Sequence, residues 1–220
     1  MNYYVLVEGE GERKIYPTWI KYFNPQVNQV FNLEDIQNNH FYVFCGGGYP
    51  YIKTKNIPAA IEDVNNYPNI DKLVIAIDSE ELSYQEKFKE IADCVIQYHC
   101  NKPVEIIIQY FCLECWGLAN QVIFRRHPQD HKLLSFQRFY NVIYQDPELL
   151  PDYPDEDMGR VEFAFKYLHK AVNDRYTGIT YSKHNPIVLT HNNYVDQITR
   201  RLKTTGHINS FENFINAFTP

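Results

Sequence analysis

Acidic residues stand directly after two short apolar runs of the sequence. Glu8 follows the run 3–7, and Asp78 and Glu80 follow the run 73–77. Oxygen ligands without His or Cys favour Mg²⁺ or Mn²⁺ over Zn²⁺. Two such ions can hold the attacking and leaving oxygens of a phosphodiester during hydrolysis. The pattern therefore predicts a metal-dependent site that hydrolyses nucleic acid, with Glu8, Asp78 and Glu80 as ligands and catalytic groups.

Three further carboxylates could join this site. Glu10 and Glu12 lie in the turn after Glu8, and Glu114 follows the apolar run 104–111. Glu10 and Glu12 also have a simpler interpretation, because acidic residues at the start of a helix are stabilised by the helix dipole. The simpler interpretation of Glu114 is that it orients a helix together with Trp116. Glycines surround the first acids, and they would let a phosphate backbone approach closely.

The elements that must position these acids can be predicted from hydrophobic periodicity. Apolar runs typical of strands occupy 3–7, 41–45, 73–77 and 104–111, and amphipathic helical patterns separate them. This alternation predicts an α/β fold with a parallel sheet flanked by helices. Ligands of such sheets bind beyond the carboxyl ends of the strands, so the acids should meet there. We expect a catalytic domain over 1–125 and a helical C-terminal elaboration over 126–220, packed on it.

Composition limits the class of protein. Hydrophobic residues make up 45% of the 220 residues and charged residues 22%, which predicts a packed globular fold. No segment reads as a membrane span or a signal peptide, and five cysteines suit free thiols, so a cytoplasmic location is expected. The formal net charge is −6, with the acidic excess in residues 1–120. An excess of acidic residues is compatible with an enzyme that binds nucleic acid only if bound cations reverse the local negative charge.

Two basic clusters are candidates for contact with a nucleic-acid backbone. They are Arg125 with Arg126, and Arg200 and Arg201 with Lys203. Cationic side chains bind nucleic acid by neutralising its phosphates. The same pattern is typical of a solvated helix face, and both interpretations stay open.

Two segments carry a resemblance to a known family. The segment 7–12, Val-Glu-Gly-Glu-Gly-Glu, and the segment 75–80, Ile-Ala-Ile-Asp-Ser-Glu, resemble the two signature blocks of the TOPRIM fold. Shorter similarities at 113–120, 181–186 and 207–211 point to small stand-alone TOPRIM-like proteins of the OLD and RloB type, found in bacterial phage-defence loci. The resemblance implies a Mg²⁺- or Mn²⁺-dependent nuclease that acts on DNA or RNA beside a partner ATPase.

The resemblance also implies roles for individual residues. Glu8 matches a Glu that binds metal or transfers a proton, and Glu12 matches a second acidic metal ligand. Asp78 and Glu80 match the Asp-x-Asp pair, with Glu80 one methylene longer than the family residue. Lys183 matches a cation that stabilises charge on the phosphoryl group.

Two alternatives remain at this stage. One is a TOPRIM-like module that binds nucleic acid or a partner without cutting. This alternative stays open because Glu80 stands where the family has Asp. The other is a receiver-type domain in which Asp78 accepts a phosphoryl group beside acids that hold Mg²⁺. The long C-terminal extension and the additional acid at Glu80 argue against a receiver.

Overall fold

The sheet of this protein is entirely parallel. A computed structural model describes residues 1–154 and 157–220. Its five strands are β1 (Tyr3–Val7), β2 (Asn28–Val30), β3 (His40–Cys45), β4 (Lys72–Asp78) and β5 (Val104–Gln109). They lie in the order β2-β3-β1-β4-β5. The predicted α/β fold with a parallel sheet is therefore confirmed, and it is consistent with a TOPRIM-like arrangement.

Helices cover both faces of this sheet. The described residues form α1 (Glu10–Phe23), α2 (Ile57–Asn66), α3 (Tyr84–Gln97), α4 (Leu113–Leu118), α5 (His131–Phe139), α6 (Arg160–Arg175), α7 (Asn192–Thr205) and α8 (Ser210–Phe218). None of the helices in this part of the chain is long and apolar enough to cross a membrane.

Alternation along the strands explains the two layers of core. In β1, Val5 and Val7 face one side of the sheet and Leu6 faces the other, because successive side chains of a strand point to opposite faces. Helices α2 and α3 cover the Leu6 side. Helix α1 and the helices from α4 onward cover the opposite side. Both sides of the sheet are thus buried, which is why the strands read as continuous apolar runs.

Aromatic side chains join the C-terminal helices to α1. The rings of Trp19 and Trp116 lie 6.3 Å apart, and Phe211 contacts both. The indole N–H of Trp19 also donates a 2.8 Å hydrogen bond to the backbone oxygen of Leu189. The helical elaboration therefore shares one core with the first helix of the chain.

The register of the strands sets the position of the candidate site. Val7, the last residue of β1, pairs with Cys45 on one side and Ala76 on the other. Strand β4 continues for two more residues, and Asp78 pairs with Gln109 of β5. The residues that follow these strands consequently come together at one edge of the sheet.

Candidate active site

Glu8 and Asp78 meet directly at the carboxyl edge of the sheet. The Oε2 atom of Glu8 accepts a 3.0 Å hydrogen bond from the backbone N–H of Asp78. Its Oε1 atom accepts a second one, at 3.3 Å, from the backbone N–H of Tyr49. Two amides, one at the end of β4 and one in the loop after β3, thus fix the Glu8 carboxylate.

Asp78 is held by the start of α4, the helix that follows β5. Its Oδ1 atom accepts a 3.1 Å hydrogen bond from the backbone N–H of Leu113, the first residue of α4. The first N–H groups of a helix have no partner inside the helix, so a carboxylate placed there satisfies one of them. The carboxylate of Asp78 is therefore oriented by two neighbouring elements, β4 and α4.

The first turn of α1 contributes Glu12, which is buried. Gly9 caps this helix without a side chain, and a Cβ atom built there would lie 3.0 Å from the Oε2 atom of Glu12. That separation is tighter than ordinary van der Waals contact. Glycine at position 9 therefore leaves space that the Glu12 carboxylate uses.

Glu114 and Lys183 come from the opposite wall of the site. The Oε1 atom of buried Glu114 accepts a 2.8 Å hydrogen bond from the hydroxyl of Tyr181. Lys183 follows two residues later in the same loop. The ammonium group of Lys14 donates a 2.7 Å hydrogen bond to the backbone oxygen of His184, which fastens this loop to α1.

These side chains surround one cavity of about 230 Å³. Its acidic lining residues are Glu8, Glu10, Glu12, Asp78 and Glu114, and its basic lining residues are Lys183 and His184. Six residues named from the sequence thus share one cavity, although they come from four separate segments of the chain. Glu10 lies at the exposed rim, where it pairs with Arg13 at 2.9 Å.

Burial and mutual repulsion make ionisation of the carboxylates in this cavity unfavourable. Burial raises the pKa of Glu12 to about 7, and the nearby charges of Glu114 and Glu8 add to the effect. Burial also raises the pKa of Asp78 well above its ordinary value, with further contributions from Glu12 and Glu8. The pKa of Glu8 is raised by burial as well. Clustered carboxylates in a poorly solvated cavity take up protons unless cations compensate them.

Lys183 supplies part of that compensation. Desolvation lowers the pKa of Lys183, but the charges of Glu114 and Asp78 outweigh it and leave the pKa raised. The ammonium group is consequently charged at neutral pH. One such cation cannot balance four carboxylates, so the cavity keeps an acidic excess.

Glu80 is the predicted site residue that the structure leaves outside the cavity. The backbone at Glu80 is left-handed, with φ of 52°, and its side chain is exposed. Its N–H donates to the oxygen of Phe111, and its own oxygen accepts from the guanidinium of Arg160 at 2.8 Å. This turn directs the chain away from Asp78, although the Glu80 charge still acts on Glu8 and contributes to the raised pKa there.

The basic clusters do not lie in the cavity either, and one member is not available to a ligand. Arg201 is buried, and its guanidinium donates to the backbone oxygens of Gln145 at 2.8 Å and Ala119 at 3.4 Å. The Arg201 guanidinium is therefore turned into the protein, away from the surface where a nucleic-acid backbone would bind. Its neighbours Arg200 and Lys203 are exposed on the outer face of α7.

The cluster of Arg125 and Arg126 is more accessible. Arg126 is exposed, and Arg125 is partly buried and lies 3.9 Å from Asp174.

The sequence does not distinguish the exposed Arg200 from the buried Arg201. The two residues are adjacent and of the same type, and they differ only in the face of α7 that they occupy.

The donor chemistry of the cavity fits a divalent cation. Glu8, Glu12, Asp78 and Glu114 offer only oxygen, the ligand type that Mg²⁺ and Mn²⁺ prefer. The raised pKa values of Glu8, Glu12 and Asp78 show an acidic excess that a cation would relieve. Within residues 1–154 and 157–220, however, no three His, Cys, Asp or Glu side chains already stand in a coordination shell. Glu8, Asp78 and Glu114 each accept a hydrogen bond from a protein donor instead.

Comparison with known proteins adds no relative. No family model matches the chain, and no curated protein or solved structure matches it. The function of the cavity therefore has to be inferred from its own residues.

Sequence reasoning did not find the groups that orient the acids. The backbone N–H groups of Tyr49 and Leu113 hold Glu8 and Asp78, and the Tyr181 hydroxyl holds Glu114. Every residue except proline has a backbone N–H group, so the residue type does not reveal which of them acts as a donor. Tyr181 lies only two residues before Lys183, but a lone tyrosine gives no signal of its partner.

Proposed function

We propose that this protein is a Mg²⁺- or Mn²⁺-dependent nuclease of TOPRIM-like type. The observation that supports this most strongly is the convergence of Glu8, Glu12, Asp78 and Glu114 with Lys183 in one cavity at the carboxyl edge of a parallel sheet. Such edges are where α/β sheets bind ligands. The resemblance of segments 7–12 and 75–80 to the TOPRIM signature blocks agrees with the position of Glu8 and Asp78.

The four carboxylates would hold the cation, which supplies charge stabilisation to the attacked phosphate and activates the attacking water. The chain itself contributes orientation and one positive charge. The amides of Asp78, Tyr49 and Leu113 fix the two central carboxylates before substrate arrives. Lys183 lines the same cavity and would stabilise the negative charge that develops on the phosphoryl oxygens.

Cleavage assays with matched variants test this proposal. Purified protein is incubated with Mn²⁺ and labelled single-stranded and duplex DNA and RNA, and products are separated on denaturing gels. We expect wild type to cleave at least one of these, and Glu8→Gln and Asp78→Asn to lose at least about 100-fold in rate. Glu62→Gln is the matched control, because Glu62 is an exposed acid on α2 outside the cavity. Cleavage by Asp78→Asn at the wild-type rate would contradict the proposal.

A binding module without nuclease activity is the second candidate, and the position of Glu80 outside the cavity favours it. The resemblance also implies a partner ATPase, so the same substrates are tested again with that partner added. Cleavage only in the complex would show that activity depends on assembly. Mn²⁺-dependent binding without cleavage in either case would support the binding module.

A further inference from the structure

The loop beside Glu8 presents one aromatic ring in a fixed position. Tyr49 is the residue whose backbone N–H donates to the Glu8 carboxylate at 3.3 Å, and Gly48 before it lines the acidic cavity. Tyr49 is 39% exposed. Tyr49 thus contacts Glu8 through its backbone and lies one residue along the chain from the cavity wall.

A buried cation supports this ring from below. The ammonium group of Lys87 lies 4.0 Å from the centroid of the Tyr49 ring, and Lys87 is only 1% exposed. A buried cation thus covers one face of the ring of a residue that is 39% exposed overall.

A carboxylate fixes the edge of the same ring. The Tyr49 hydroxyl donates a 2.8 Å hydrogen bond to Glu90, which also binds Lys53 at 2.7 Å and Lys87 at 3.4 Å. Burying Lys87 costs free energy through desolvation, and a core of apolar residues would not incur that cost. The arrangement holds an exposed aromatic side chain in one orientation, which an ordinary surface tyrosine does not need.

Such a ring has the properties of a stacking surface for a nucleobase. Aromatic side chains bind single-stranded nucleic acid by stacking on bases, and they tolerate any base because each has a π-face. A base inside a duplex is already stacked on both sides and cannot offer its face to a protein.

We propose that Tyr49 stacks on an unpaired base next to the phosphate in the acidic cavity, so that the protein selects single-stranded nucleic acid over duplex. This inference rests on the proposed nuclease function, because it assigns the strand form of the substrate. Lys87 and Glu90 act as positioning residues that hold the ring, and they do not touch the substrate.

The test uses a 12-nucleotide single-stranded DNA with a central 2-aminopurine, whose fluorescence falls when the base stacks. Binding is measured in Ca²⁺, and the same strand annealed to its complement is the duplex probe. We expect wild type to quench the single strand and to bind it at least about 10-fold more tightly than the duplex. Tyr49→Leu should lose roughly 5- to 100-fold in single-strand affinity together with the quenching. Tyr49→Phe, which keeps the ring, should retain both.

Tyr22→Leu is the matched control. Tyr22 is 38% exposed, its hydroxyl also bonds a carboxylate, that of Asp196, and it lies at the opposite end of α1 from the cavity. This variant should bind and quench like wild type. Circular dichroism of each variant shows that the fold is retained.

The outcomes separate this inference from the proposed function. A wild type that cleaves in Mn²⁺, with Tyr49→Leu unchanged in affinity and strand preference, would overturn the stacking surface and leave the nuclease intact. Quenching that depends on Tyr49, with no cleavage by wild type either alone or with its partner, would support the stacking surface and contradict the nuclease. A protein that binds neither strand form would overturn the stacking surface, and the ring would then be a candidate contact for another protein.

Discussion

The Oε2 atom of Glu8 lies 3.0 Å from the backbone nitrogen of Asp78, although 70 positions separate the two residues in the chain. This contact follows from the parallel pairing of β1 with β4, which places both strand ends at one edge. Each carboxylate is also held by an amide from a different loop or helix. The two acids are thus positioned by the backbone, and their geometry does not depend on flexible surface contacts.

Glu12 should make stability depend on pH. Its pKa is raised to about 7 in the folded protein, so the folded state holds a proton that the unfolded state releases near pH 4.5. Stability should therefore fall as pH rises from about 4.5 to 7. Glu12→Gln removes this cost, and we expect it to raise the free energy of unfolding at pH 8 by about 2–3 kcal/mol, with little change at pH 4.5. Urea titrations at both pH values, without divalent cations, measure the difference.

Mn²⁺ should reduce the difference in free energy of unfolding between wild type and Glu12→Gln at pH 8. A bound cation compensates the negative charge of Glu12, and Gln carries no such charge. Repeating the titrations at pH 8 with saturating Mn²⁺ should bring wild type close to or above Glu12→Gln in stability. An unchanged difference would show that Glu12 contributes nothing to cation binding.

Glu148 provides a comparison outside the cavity. It is buried, and burial raises its pKa to about 7 although it accepts hydrogen bonds from Ser210 and from the indole N–H of Trp116. The sign is the same as for Glu12: stability falls as pH rises from about 4.5 to 7. Glu148→Gln should be more stable than wild type at pH 8 by about 2–3 kcal/mol. Mn²⁺ should leave this gain unchanged, and a gain that Mn²⁺ abolishes would contradict the assignment of the cation to the cavity.

Gly9→Ala should affect the cavity without affecting the fold. The added Cβ would lie 3.0 Å from the Oε2 atom of Glu12, whereas the backbone at Gly9 is extended and accepts any residue. We expect Mn²⁺ affinity to fall about 10-fold and the melting temperature to change little. Gly159→Ala is the control, because Gly159 also precedes a helix but its Cβ would have no contact closer than 3.8 Å. Equal Mn²⁺ affinity in both variants would contradict the account of Gly9.

Substitutions of Arg200 and Arg201 should have different effects, one on nucleic-acid binding and the other on stability. Arg201→Ala leaves the buried backbone oxygen of Ala119 and the partly buried contact to Gln145 without this donor, so we expect a loss of about 2–3 kcal/mol in the free energy of unfolding. Arg200→Ala, at an exposed position, should leave stability within about 0.5 kcal/mol of wild type. If Arg200 contacts phosphate, its loss should weaken oligonucleotide binding and lower the salt dependence by about one ion. Destabilisation by Arg200→Ala equal to that by Arg201→Ala would contradict the burial difference.

The sequence predicts the sheet well because its central strands are buried on both faces. The runs 3–7, 41–45, 73–77 and 104–111 correspond to β1, β3, β4 and β5 within a few residues. Strand β2 was missed, since it has three residues at the edge of the sheet and lacks a fully buried side chain. Short edge strands owe their form to a neighbour, which periodicity cannot reveal.

The candidate site was predicted in part, for a related reason. Glu8 and Asp78 could be placed because parallel strands end at a common edge, whatever the detailed packing. Glu80 was placed with them by spacing alone, but a left-handed residue turns the chain there. The hydrogen bond from Tyr181 to Glu114 spans 67 positions and depends on how the C-terminal helices pack, so no local pattern encodes it.

Direct measurement of Mn²⁺ binding tests the central claim that these acids form one cation site. Electron paramagnetic resonance reports free Mn²⁺, and its signal should fall when wild-type protein is added at pH 7.5. We predict that Asp78→Asn weakens the affinity at least about 10-fold, while Glu62→Gln binds as wild type does. Equal binding by wild type and Asp78→Asn, or no binding by wild type, would contradict the account.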